Sequence, residues 1–191
     1  MRRWLIAGLT LLTGCASGPP PADWQLESHA AAKAFQKNYL EGATRAAESD
    51  FARLKRELSA TGRLDLEARA ELLRCALRAA SLEFDDCPGF EKLRAYAGAE
   101  EQAYGEYLAG RIERAPGDEP LSKLVALGVN LKSGRISPPE ISAAVDIASA
   151  EGWRRPLLAW LGVEEKRAEA SGDAAALERI RRRIALVSGK A

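Results

Sequence analysis

Cysteine is the residue type whose placement in this sequence reads most directly as chemistry, and there are three: Cys15, Cys75 and Cys87. Cys15 closes an N-terminal stretch in which Arg2 and Arg3 give a positive start, residues 4–12 form an apolar run, and Thr13 and Gly14 place small side chains before the thiol. That order is a secretory signal. It is shorter than the roughly 20 apolar residues that a membrane span needs, and no later stretch is apolar enough to stop transfer. Cys75 and Cys87 remain, twelve positions apart. An even remainder delivered to an oxidising compartment suggests a disulfide, which would fold the turn Asp85-Asp86-Cys87-Pro88-Gly89 back onto the helix carrying Cys75. By loop entropy such a bond contributes about 3 kcal/mol. The alternative is two buried free thiols. A metal site does not suit the spacing, because there is no C-x-x-C and only one histidine, His29.

The residues Leu12-Thr13-Gly14-Cys15 resemble the lipobox of bacterial lipoproteins, whose cysteine receives a diacylglyceryl group and becomes the new N-terminus after cleavage. The resemblance implies that residues 1–14 are removed, that Cys15 is acylated, and that the membrane is a partner through this anchor. Each buried methylene contributes about 0.8 kcal/mol, so the chains on one cysteine would hold a domain at a bilayer almost permanently. In that family a residue other than Asp after the cysteine, here Ala16, is compatible with the outer membrane and a periplasm-facing domain. Residues 15–23 then read as the acylated cysteine and a tether, since Pro19, Pro20 and Pro21 prevent a helix.

Catalytic chemistry is thinly represented. With His29 alone there is no H-E-x-x-H and no histidine cluster, and glycine-rich phosphate loops and a Ser-x-x-Lys nucleophile are absent from the sequence. No motif calls for a cofactor. Glu27-Ser28 and Glu48-Ser49 resemble the Glu-Ser dipeptide of lytic transglycosylases, without that family's surrounding motifs; a general acid there would need a dry pocket. Glu100 and Glu101 are adjacent, so on a helix they diverge by about 100°. The chain has 28 basic and 27 acidic residues, two of the basic ones in the signal, so the processed chain is close to neutral and no nucleic-acid partner is expected.

The elements that position these groups are helices. Ala, Leu, Glu and Arg dominate and alternating runs are few, which predicts an all-α body over residues 24–191. The first helix should cover 24–40, with Ala31, Phe35 and Tyr39 on one face. The second should cover 43–60, with Ala47, Phe51, Leu54 and Leu58 as its apolar stripe. A third, capped by Asp65, is expected to reach Phe84, and after the Cys87 turn a short helix at 90–96 precedes a longer one at 99–114. The loop 115–120 is the best candidate for a break into two halves. A helix from Leu121 ends near Ser133-Gly134, and Ser137-Pro138-Pro139-Glu140 carries every mark of a helix start: cap, proline and capping-box glutamate. Residues 153–171 and a last helix capped by Asp173, with Arg181, Arg182 and Arg183 outside its stripe, complete the series.

Alternate helix starts recur at roughly 32 to 41 residues, near the period of helical-hairpin arrays. The body resembles tetratricopeptide-type α-solenoids in architecture, as antiparallel hairpins stacked into a solenoid or a compact helical array. Residues 70–80 and 152–162 are also similar to uncharacterised proteobacterial lipoproteins. These resemblances imply a non-enzymatic scaffold or accessory subunit that binds an envelope protein; the alternative is a peptidoglycan-interacting or lytic enzyme using an unrecognised carboxylate. Trp153 and Trp160, seven apart on one helix face, are candidates for stacking on a sugar or anchoring a partner. Their other reading, and that of Tyr104 and Tyr107, is ordinary core.

Overall fold

A computed structural model describes residues 21–190 of the chain, and among them there are helices and no strands. Two helices start the body, α1 (Asp23–Leu40) and α2 (Thr44–Ser59), joined by a turn in which Gly42 takes φ +79°. The stripes expected from the sequence face each other. Ala31, Phe35 and Tyr39 bury against Ala47, Phe51, Leu54 and Leu58, with the Phe35 and Phe51 rings 4.8 Å apart.

The next helix, α3 (Leu64–Ala80), departs from its expected bounds at both ends. Arg63 occupies the cap, and Asp65 lies inside the first turn, where it binds the Arg63 guanidinium at 2.6 Å instead of capping backbone. At the other end the helix stops short of Phe84, which is left exposed. The Glu83 N–H donates to the Arg78 carbonyl and the Leu82 N–H to the Ala79 carbonyl, the two bonds of a Schellman closure. The left-handed residue such a closure requires is Leu82, at φ +59°. Leucine pays a steric penalty there that glycine avoids, so the sequence carries no stop mark.

A turn of helix, α4 (Pro88–Glu91), and a 3₁₀ turn (Arg94–Tyr96) stand where one short helix was expected. α5 (Ala99–Leu108) ends six residues before Arg114, because Gly110 at φ +77° closes the same motif through Arg111 N–H to Glu106 O. Four helices follow: α6 (Pro120–Lys132), α7 (Pro138–Ala150), α8 (Arg154–Ser171) and α9 (Ala174–Ser188). The α7 start is as read. Glu140 accepts from the Ser137 backbone N–H at 2.7 Å and from its hydroxyl at 2.6 Å. Asp173 caps α9 by accepting from Ala176 N–H at 2.9 Å.

These elements bury two apolar clusters. The smaller joins α1 and α2 to Ala70 and Leu77 of α3. The larger takes another face of α3 (Ala68, Leu72, Cys75, Ala76, Ala79) together with residues of α4 to α8, including Phe90, Tyr107, Leu124, Val145 and Trp160. Thus α3 is the shared wall. Tyr107 and Leu108, before the loop near 115–120, share a cluster with Leu124 and Val125 after it. The array is compact: α3 packs against α1, α2, α5 and α6, and α8, besides its hairpin partners α7 and α9, reaches back to α1.

Candidate functional site

Between its two buried faces α3 keeps a third, partly open one. Leu66, Arg69 and Leu73 recur at steps of three and four, one helical stripe that runs on to the buried Ala76. Three adjoining depressions run along it. One of about 440 Å³ lies towards α1, walled by Trp24, His29 and Ala32; one of about 370 Å³ lies towards α5, at Glu100, Glu101 and Tyr104. The last, about 550 Å³, lies against α6 and the start of α8, at Leu121, Val125 and Trp153. Leu73 lines all three, so they form one groove with α3 as its floor.

The groove is apolar at its centre, and towards α5 its charges are paired. Arg69 Nε donates to Glu101 Oε1 at 2.6 Å, and Arg114 lies 3.7 Å from Glu100. The Arg114 guanidinium also sits over the Tyr104 ring at 5.5 Å. Burial pushes the Tyr104 phenol up to about 12, with Tyr107 adding to the shift and Arg114 opposing it. At neutral pH Tyr104 is therefore a neutral hydrogen-bonding group on an apolar wall.

The two tryptophans separate. Trp153 precedes α8 and is partly buried, packing at the seam where it touches both clusters and the end of the groove. Trp160 has no exposed surface, and its indole Nε1–H donates to the Ala80 carbonyl at 3.1 Å. Of its two readings, a contact for a sugar or partner and ordinary core, Trp160 takes the second, because a fully enclosed ring with its one donor satisfied offers nothing to a ligand. Tyr107 is core as well. Helical spacing could not separate Trp153 from Trp160, because the turn after Gly152 puts Trp153 at the helix cap rather than on its inner face.

Cys75 and Cys87 are joined, with Cα atoms 5.7 Å apart. The bond fastens the 81–87 segment to α3, as the spacing suggested. Cys15 and the signal and lipobox around it lie outside the described residues. Of the carboxylates singled out in the sequence, Glu27 and Glu48 are exposed, and Ser28 is buried with its hydroxyl donating to Gln25 O. His29 is exposed at the groove rim.

Periodicity did not point to two further residues. Glu71 is buried on α3, held by Lys55 at 3.1 Å and Arg74 at 2.6 Å, and it lies under Gly89, where any Cβ would strike its carboxylate. Two cations fix it as a charged strut, and it does not line the groove. Arg155 of α8 is the other. Its Nε donates to Tyr39 O at 2.8 Å, one Nη to Glu83 at 3.0 Å and the other to Thr44 Oγ1 at 2.8 Å, while its guanidinium lies 4.4 Å over the Tyr39 ring. One side chain therefore ties the α1–α2 turn, the segment after α3 and α8 together. The Tyr39 hydroxyl is buried without a hydrogen bond of good geometry; burial first, then the Glu83 carboxylate, raises its pKa. No family model matches the chain, and neither curated proteins nor solved structures give a match.

Proposed function

We propose that this chain is a lipid-anchored envelope protein that acts by binding, as a scaffold or accessory subunit, and that a protein partner lies in the groove along α3. The observation that carries the reading is the pair of partly open leucines on α3, Leu66 and Leu73, flanked by Trp24, Tyr104 and Trp153. Large apolar side chains left partly open along one face, with polar groups at the rim, are what a docked helix or extended segment covers. The carboxylates support a non-enzymatic role. Glu101 is held by an arginine, Glu71 is buried between two cations away from the groove, and Glu27 and Glu48 are in solvent, so none has the dry pocket of a general acid.

The anchor limits where the partner can be. Trp24, at one end of the groove, follows Cys15 by nine positions. A fully extended chain of that length spans about 30 Å at most, so the groove would work close to the outer-membrane surface, facing the periplasm.

A photo-crosslinking residue placed at His29 on the groove rim in cells, with Cys15→Ala as the mislocalised control and Leu73→Asp as the groove variant, tests the reading. The expected result is one protein captured at high yield and lost both in the control and in Leu73→Asp. Capture of murein fragments in place of a protein would transfer the groove to the cell-wall alternative, and equal capture by Leu73→Asp would remove the groove from the interaction.

A further inference from the structure

The helices α7, α8 and α9 leave a second valley of about 530 Å³, lined by Glu164, Arg167 and Ala168 of α8 together with Ile141 of α7 and Ile180 of α9. Three guanidinium groups border it: Arg167 from α8, and Arg179 and Arg183 one turn apart on α9. None of the three forms an ion pair among the described residues. Their neighbours on the outer face of α9 differ, since Arg181 is held by Glu165 and Glu169 and Arg182 by Glu178. The valley's two carboxylates are already engaged. Glu164 accepts from Ser142 Oγ at 3.2 Å, and Asp173 caps α9. In a chain with nearly equal numbers of acids and bases, this concave surface sets the half-buried Ile180 beside three guanidinium groups that have no ion-pair partner among the described residues.

We infer that the valley is a docking site for an acidic amphipathic helix of a partner protein. Such a helix would lie between α7 and α9 as a further member of the array, its apolar face on Ile141, Ala168 and Ile180 and its carboxylates on the arginines. Guanidinium groups favour carboxylates through paired N–H donors, and a helix in a groove is anchored at the same i, i+4 spacing that Arg179 and Arg183 present. The valley's concavity favours a helix over a flat layer of lipid headgroups. α9 has no fully buried residue, so a covering helix would also complete the burial of Ile180. This site is separate from the α3 groove, and either can fail without the other.

The test uses the full chain carrying Cys15→Ala, so that no acyl chain contributes, and a fluorescein-labelled helical peptide with Glu and Leu at i, i+4 spacing, read by anisotropy. Expected are saturable binding that weakens as salt rises, no binding of the same peptide with Lys for Glu, and a loss of about tenfold or more in the Arg179→Gln/Arg183→Gln double variant. Leu73→Asp should leave the affinity unchanged. Both arginines are exposed, so the double variant should retain its helical circular dichroism. Equal binding by the double variant, or no binding of the acidic peptide, overturns the inference. So does arginine-dependent co-sedimentation with phosphatidylglycerol vesicles in the absence of peptide binding, which would make the surface a headgroup site.

Discussion

In the α1–α2 hairpin the buried surface is local and built around packed rings: Phe35 lies against Tyr39 and Phe51, on two helices joined by a three-residue turn. In the larger cluster it is mostly alanine, leucine and valine, brought together from α3 to α8 across long stretches of chain. Small side chains allow backbones to approach closely, and at Gly128 of α6 a Cβ would strike the Ala79 carbonyl of α3. The hairpin thus rests on ring contacts between neighbours in sequence, and the larger region on close fit and one covalent bond, with the Phe90, Tyr107 and Trp160 rings set into it. Large aromatic contacts tolerate small shifts, whereas a close-fitted interface transmits them.

The largest test of that contrast is Trp160→Ala. Removing a fully buried indole from a close-fitted region leaves a cavity and an unpaired Ala80 carbonyl, and should cost about 3–5 kcal/mol in urea unfolding. If the two regions are coupled as one array, α1 and α2 should lose protection in the same transition. A hairpin that melts separately would break the comparison and make the smaller cluster an independent unit. Second is the disulfide. The Cys75→Ala/Cys87→Ala double variant should lose about 3 kcal/mol, with faster amide exchange first in the 81–87 segment. Free alkylation of both thiols in the native wild-type protein would remove the bond from the argument.

How much of this was legible in the sequence follows the same division. The hairpin stripes at Phe35 and Phe51, the Ser137 box and the Asp173 cap are local patterns, and each lies where its spacing put it. Long-range features were not legible. Nothing in periodicity tells that Trp160 is sealed against Ala80, eighty positions earlier, or that Arg155 reaches Tyr39 and Glu83. The end of α3 is unmarked because a leucine, not a glycine, takes the left-handed position; the end of α5 is marked by Gly110, but Ile112 beyond it continues the four-residue spacing of Tyr104 and Leu108. The groove along α3 was hidden because its floor, Leu66 and Leu73, looks in sequence like more core.

Arg155 is the polar link between the two regions, and Arg155→Met sharpens the comparison at smaller cost. Methionine keeps the stem's apolar contact but loses three hydrogen bonds that are partly reachable by solvent, so about 1–2 kcal/mol is expected. The distribution matters more than the size. Exchange should quicken in α1, α2 and the segment after α3, while α6 and α7 keep their protection; a uniform loss across all helices would mean that Arg155 is not the specific tie.

The smallest effect is a titration confined to the larger region. At the start of α7 the Ser137 hydroxyl, its backbone N–H and Asn130 hold the Glu140 carboxyl below the usual glutamate range. A carboxylate whose folded pKa is depressed stabilises the fold at any pH above its unfolded value, about 4.3, and that contribution is lost as pH falls through the folded value. Acid should therefore fray the first turn of α7 before it opens the α8 packing, because Ser137 then faces a protonated carboxyl that no longer accepts two bonds. Ser137→Ala removes the first cause, so Glu140 should titrate nearer its ordinary value and the acid sensitivity of the α7 amides should shrink. NMR titration of the Glu140 side chain checks this. An unshifted Glu140 in the wild-type protein would mean that the box closes α7 without electrostatic strength, leaving Pro138 and the packing of Ile141 and Val145 to start the helix.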